Sequence, residues 1–195
     1  MRGVKFILVR DPAIFKAVWK CFEDYRKRLE KVPSSFTGNF HPKDEDIPGG
    51  LIKHIEKICW LILEYDEKIP LSKMAYDILM ASAMYHDLGK IDKLKIQLRL
   101  EISEGKLHRK YIIDHDQVEY EKHPDISAEI AEKYLKAEGV SQDVIDQIKG
   151  ICKCHMNPFD NNPPPKTDLE RLFSYFDYLS SRRELEWSGI YENTS

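Results

Sequence analysis

The run Tyr85-His86-Asp87-Leu88-Gly89-Lys90 constrains this chain more than any other stretch, because it sits inside a series: His54, His86-Asp87, His123, His155 and Asp177. Helical spacing puts five of these six side chains on the inward face or at an end of a helix. An imidazole or carboxylate buried there without a partner is costly. A shared metal centre removes that cost, so the chain is expected to fold in a way that brings the six groups together.

The sequence around them reads as helices separated by clear breaks. Asp11-Pro12 opens a helix to about Lys31, with Phe15, Val18, Trp19, Phe22 and Tyr25 as an apolar stripe expected to face the core. A Pro-, Ser- and Gly-rich loop over 32–50 leads into a second helix marked by Leu51, Ile55, Ile58 and Ile62, with His54 beside that stripe. After Pro70 a third helix carries Ala75, Ile78, Leu79 and Ser82 on one face and reaches His86 as the next member of that face before Gly89 stops it. The rhythm then changes over 94–113. Leu94, Ile96, Leu98, Leu100 and Ile102 alternate, Glu104-Gly105 can turn, and Tyr111-Ile112-Ile113 is apolar, which predicts a β-hairpin insert. Helix resumes after Pro124 and ends near Gly139. Ser141 caps a further helix with Val144, Ile148, Ile151 and Cys152 on its inner side, and His155 continues that stripe. A loop over 157–166 precedes a capping box of Thr167 and Glu170 and a last helix bearing Leu169, Phe173 and Phe176, with Asp177 one turn beyond Phe173. The fold expected is all-α, a helical bundle with a small β-hairpin insert near 94–113. It divides into a lead-in helix and loop over 1–48, a main domain over 49–186 and a loosely held tail over 187–195.

Composition agrees with one globular domain: 195 residues with 42% hydrophobic and 32% charged content can bury a proper core. The formal net charge of −3 comes with Lys and Arg spread along the chain, so any nucleic-acid contact is expected to be local. Four cysteines, at 21, 59, 152 and 154, lack the density of a secreted disulfide scaffold. No stretch has the build of a signal peptide, and the apolar run 4–9 is too short to span a bilayer. A soluble cytoplasmic protein with no membrane partner is the expectation. No feature of the pattern assigns an oligomeric state.

Imidazole and carboxylate donors without thiolate favour Mn²⁺, Fe²⁺, Co²⁺, Ni²⁺ or Mg²⁺ over a structural zinc, with Zn²⁺ still able to bind. His54, His86-Asp87 and Asp177, in that order on successive helices, resemble the HD-domain metal-dependent phosphohydrolase superfamily over roughly 49–183. His86-Asp87-Leu88-Gly89-Lys90 matches its central signature, and Phe176-Asp177-Tyr178-Leu179-Ser180-Ser181 is similar to its late aspartate followed by small residues. His123-Pro124 and Cys154-His155 stand where two-metal members carry additional histidines, so the chain resembles the dinuclear branch.

The resemblance implies that His54, His86, Asp87 and Asp177 hold one divalent ion and that Asp87 bridges to a second held by His123 and His155. Such a pair sits about 3.5–4 Å apart and acidifies bridging water enough to supply hydroxide near neutral pH. The implied reaction is hydrolysis of a phosphomonoester or phosphodiester of a nucleotide or short oligonucleotide. Asp87 and Lys90 then carry the catalytic role, Lys90 as a point charge on the phosphate. His41, near Gly49-Gly50, reaches the pocket rim, and Arg182 serves substrate if the last helix points its end toward the metals. Two departures limit the transfer. Cyclic-dinucleotide phosphodiesterases of the HD-GYP type show paired histidines and a Gly-Tyr-Pro motif where this chain has His155-Met156-Asn157-Pro158, and compact members lack the insert after Lys90. Substrate identity therefore does not carry over. The alternatives are a mononuclear nucleotidase and a non-catalytic nucleotide-sensing or protein-binding module whose metals only stabilise it.

Each motif also has a plainer reading. A single His on an apolar face is commonly a hydrogen-bonded core residue, His123 can cap the helix after it, and His155 can bond a carbonyl at a helix end. His115-Asp116 lacks a helix behind it and reads as solvated surface. His41 and His108 read as exposed, and Arg182 and Arg183 as surface charges. Cys152-Lys153-Cys154-His155 has no second pair to close a tetrahedral zinc site, so the cysteines are expected to pack.

Overall fold

The computed structural model describes residues 8–35, 41–42, 45–92, 95–103, 106–114, 122–157 and 162–182, with backbone alone for 92 and the two strands. Along these the chain forms α1 (Pro12–Leu29), α2 (Gly50–Lys68), α3 (Lys73–Tyr85), a short α4 (Gly89–Asp92), β1 (Lys95–Ser103), β2 (Lys106–Asp114), α5 (His123–Ala137), α6 (Gln142–Cys154) and α7 (Asp168–Ser180). The fold is helical in character. Between α4 and α5, in the region of the hairpin expected near 94–113, β1 and β2 run antiparallel, with Lys95 opposite Asp114 and Ser103 opposite Lys106. Its turn residues Glu104 and Gly105, the His115-Asp116 pair, Arg183 and the tail 187–195 lie outside the described residues.

α3 is the centre of the bundle. Every residue from Tyr76 to Tyr85 is buried, and α1, α2, α5, α6 and α7 all pack against it. One face was expected to be apolar, but Met80, Ala81, Ala83 and Met84 bury the rest, as a helix apolar all round must be. Its start is tied to the lead-in segment: the Asp77 carboxylate accepts the backbone N–H of Arg10 at 2.6 Å and of Asp11 at 2.9 Å. Asp11 in turn caps α1 by accepting from the N–H groups of Ala13 and Ile14.

The stripe expected on α1 is partly wrong. Phe15 and Trp19 are 40% and 43% exposed and stack on each other at 6.3 Å between centroids. The buried arc runs instead through Ile14, Ala17, Val18, Cys21 and Phe22, where two small residues let α1 approach its neighbours closely. Aromatic size had masked that arc, because the two stripes differ by only one position around the helix. The core formed this way is a single cluster that takes in Ile14, Phe22 and Leu29 from α1 together with the inner faces of the later helices. All four cysteines are buried and free, in keeping with a packing role. No helix among the described residues is long and apolar enough to cross a membrane.

Candidate metal centre

Two helices end on a histidine used in the same way. His86 closes α3 and His155 closes α6, each in helical conformation with its backbone N–H bonded back into the helix. Each ring then folds over its own helix end: His86 Nδ1 lies 3.0 Å from the Ala83 carbonyl and His155 Nδ1 2.7 Å from the Cys152 carbonyl. A carbonyl can only accept, so Nδ1 carries the hydrogen in both rings and each Nε2 is left with a bare lone pair turned inward. His54, on the second turn of α2, has Nδ1 3.1 Å from Ser180 Oγ, whose hydroxyl is donated to the Asp177 carbonyl at 2.7 Å. That bonding assigns the Nδ1 hydrogen to His54 as well.

The inward atoms converge in two groups that share Asp87. His54 Nε2 is 3.3 Å from His86 Nε2 and 3.0 Å from Asp177 Oδ1, while His86 Nε2 is 3.5 Å from Asp87 Oδ2 and 3.8 Å from Asp177 Oδ1. On the other side, Asp87 Oδ1 is 3.3 Å from both His123 Nε2 and His155 Nε2. Among the described residues, three His/Asp/Glu groups have ligand atoms close enough to hold a metal: His54, His86 and Asp87; Asp87, His123 and His155; and His41, Glu45 and His54. All six side chains expected from the sequence are therefore brought together. The rings form a chain, with neighbouring centroids 5.4 Å apart for His54 and His86, 5.0 Å for His86 and His155, and 5.3 Å for His123 and His155. Phe173 backs His86 edge-on at 5.4 Å.

The donor set fits a cation. Asp87 Oδ1 and His155 Nε2 are buried, face each other and make no hydrogen bond. Two lone-pair atoms in that position repel unless positive charge stands between them. The acids are held ionised: burial would raise Asp87, but Lys90 and the imidazoles keep it well below the usual carboxylate range, and His54 does the same for buried Asp177. Burial pushes His86 down to about 3, which keeps it neutral and able to donate. Burial lowers His54, but Asp177, Glu45 and Asp87 together outweigh it and raise the ring.

The other expected site residues fall in three places. Lys90 is buried with Nζ 2.5 Å from Asp87 Oδ2 and 3.4 Å from the Ser34 carbonyl. His41 is buried rather than exposed, because it turns in to Glu45: its Nδ1 is 2.8 Å from Glu45 Oε2 and its ring 4.8 Å from that of His54. Arg182 stays outside the cluster, exposed, with its guanidinium 4.0 Å over the Tyr178 ring. Sequence reasoning missed Glu45, Lys57, Ser34 and Ser180. Lys57 had a signal, lying three residues after His54 on the same face of α2. Glu45 had none, since its loop has no period.

Residues 51–182, well over half of the chain, match the family model of the HD domain, and the chain belongs to that family. Its members are mostly metal-dependent phosphohydrolases. Comparison with curated proteins and with solved structures gives no match.

Proposed function

We propose that the chain is a divalent-metal-dependent phosphohydrolase that cleaves a phosphomonoester or phosphodiester of a nucleotide or short oligonucleotide in the cytoplasm. The observation that carries this reading is the buried approach of Asp87 Oδ1 to His155 Nε2, 3.3 Å apart with no hydrogen bond between them. His54, His86, Asp87 and Asp177 would hold one ion, and Asp87, His123 and His155 a second. Asp87 suits a bridge because its two oxygens face opposite groups. Mn²⁺, Fe²⁺, Co²⁺, Ni²⁺ or Mg²⁺ suits these donors, and Zn²⁺ is acceptable to them. Divalent ions in that place supply Lewis acidity, bringing the pKa of water toward about 7 and neutralising phosphate charge.

The chain's own groups do the rest. Lys90 keeps Asp87 ionised and sets a fixed positive charge beside the reacting phosphate. Asp177 and His41, with side chains 15% and 11% exposed, are the more open members of a cluster otherwise nearly sealed, so substrate enters between them, over His54. His41 lines that opening. Arg182, exposed over the Tyr178 ring and outside the cluster, would reach only a part of the substrate distant from the ions. Burial raises the thiols of Cys21, Cys59 and Cys152 far above their usual range, which keeps them protonated and unreactive.

The test is metal analysis of protein purified without added metal, followed by turnover of bis-p-nitrophenyl phosphate and a nucleotide panel with Mn²⁺. Asp87→Ala should lose more than about 100-fold in turnover, since partners outside the ligand set alone cost about 10–100-fold. Equal turnover by that variant ends the enzymatic reading. Tight metal uptake with no turnover of any ester makes the chain a metal-stabilised binding module instead.

A further inference from the structure

The segment ahead of the family match builds part of the site. Glu45 precedes residue 51, where that match begins, yet its carboxylate is completely buried. Lys57 Nζ stands 2.5 Å from Oε1, while Ser34 Oγ at 3.1 Å and His41 Nδ1 at 2.8 Å stand at Oε2. The same Oε2 lies 3.7 Å from His54 Nδ1, the nitrogen that faces away from the metal cluster. The loop is shaped to deliver this carboxylate. Ser34 N–H donates to the Glu45 carbonyl at 3.0 Å, and Glu45 N–H to the Pro42 carbonyl at 2.9 Å. A Cβ on Gly50 would stand 1.8 Å from the Glu45 carbonyl oxygen, so only glycine lets the loop lie against the start of α2. The Ser34 carbonyl also accepts from Lys90, which pairs with Asp87. A continuous brace thus runs from behind His54, through Glu45 and Ser34, to Lys90 and Asp87.

We propose that Glu45 is a positioning residue of the metal centre. Ser180 accepts the His54 Nδ1 hydrogen, and the negative charge of Glu45, 3.7 Å from that nitrogen, favours keeping the hydrogen there and leaving Nε2 for the ion, while Lys57 neutralises the carboxylate so that it can be buried. This rests on the metal reading above. A third ion among His41, Glu45 and His54 is the competing use of the same atoms, and the Lys57 ammonium already supplies the positive charge there.

Glu45→Gln alone takes a charged partner from buried Lys57 and destabilises the protein for a reason unrelated to metal. The informative variant of the full chain is Glu45→Gln with Lys57→Met, which removes both charges together. Mn²⁺ binding is measured by calorimetry, and thermal unfolding is followed in chelator. The expected result is an unfolding temperature close to that of the parent and a Kd for the Mn²⁺ held by His54 that rises about 10–100-fold. A Kd within twofold of the parent overturns the proposal, because Glu45 would then serve only Lys57. If the double variant does not fold, Glu45→Asp keeps the charge for Lys57 but draws the carboxylate back from His54, and unchanged Mn²⁺ affinity there overturns it equally. Parent protein that takes up no Mn²⁺ refutes the metal reading itself and this proposal with it, an outcome told apart because the parent, not the variant, fails.

Discussion

His86 and His155 owe their usefulness to where they sit: a histidine at the last position of a helix can satisfy a terminal carbonyl with one nitrogen and offer the other to a ligand. Burial then decides the charge of His86. His86 is pushed down to about 3, and burial lowers His123 and His41 as well. His86 stays neutral in the folded protein, and His123 and His41 take up protons less readily there than in the unfolded chain, which does so near 6.5. Between those limits the unfolded state binds more protons, so folding stability falls as pH drops from about 6.5 toward 3. His54 works the other way: its raised value gives stability that is complete below 6.5 and is lost as pH climbs through that value. Three groups oppose one, so the metal-free protein should unfold at a lower temperature at pH 5 than at pH 7.5. Calorimetry in chelator at the two pH values checks this, and a higher temperature at pH 5 would contradict it. At this scale the six converging side chains were legible, because each chemistry-bearing residue type stood at a helical register. Glu45 was not, since nothing in a loop sequence says which side chain will turn inward.

Among the elements, the junction of α4 and α5 sets how the two halves of the cluster meet. Gly89 N–H donates to Ser127 Oγ at 2.9 Å, and a Cβ on Gly89 would stand 2.2 Å from the His123 carbonyl oxygen. Asp87 is two residues before this contact and His123 is on its far side. Gly89→Ala should therefore cost about 1–3 kcal/mol by overpacking, roughly 2–10 °C in unfolding temperature, and also weaken Mn²⁺ binding. Thr167→Ala makes the contrast. It removes the capping box of α7, ten residues before Asp177, and should cost about 1 kcal/mol, roughly 2–4 °C, without changing Mn²⁺ affinity. Paired melting curves and Mn²⁺ titrations separate the two, and a Gly89→Ala protein with parental affinity would show that the close approach does not position the ligands. The helices themselves were readable from caps and periodicity: Asp11, Ser141 and Thr167 stand at the N-caps of α1, α6 and α7. Which face of α1 is buried was not, because Phe15 and Trp19 are as apolar as the residues that won the core.

Over the whole molecule, the ligands arrive from α2, the ends of α3 and α6, the start of α5 and the late turns of α7, so a cation would tie together elements that are far apart in sequence. Binding to the folded state alone stabilises by about 2.7 kcal/mol when free metal is at 100 times Kd. For a chain of this length that raises the unfolding temperature by roughly 5–10 °C, reversed by chelator. No shift with saturating Mn²⁺ would separate the cluster from metal binding altogether.

By itself, the sequence determined the helical elements and the identity of the six groups that meet, because the period of 3.6 residues, the capping residues and the chemistry of imidazole and carboxylate are local properties. Tertiary structure alone decided that Lys90 would be spent on Asp87, that Arg182 would stay outside, and that Glu45, Ser34 and Lys57 would stand behind His54. Those contacts join a loop to helices that follow it, and their geometry depends on the close packing of the loop against Gly50 rather than on any pattern along the chain.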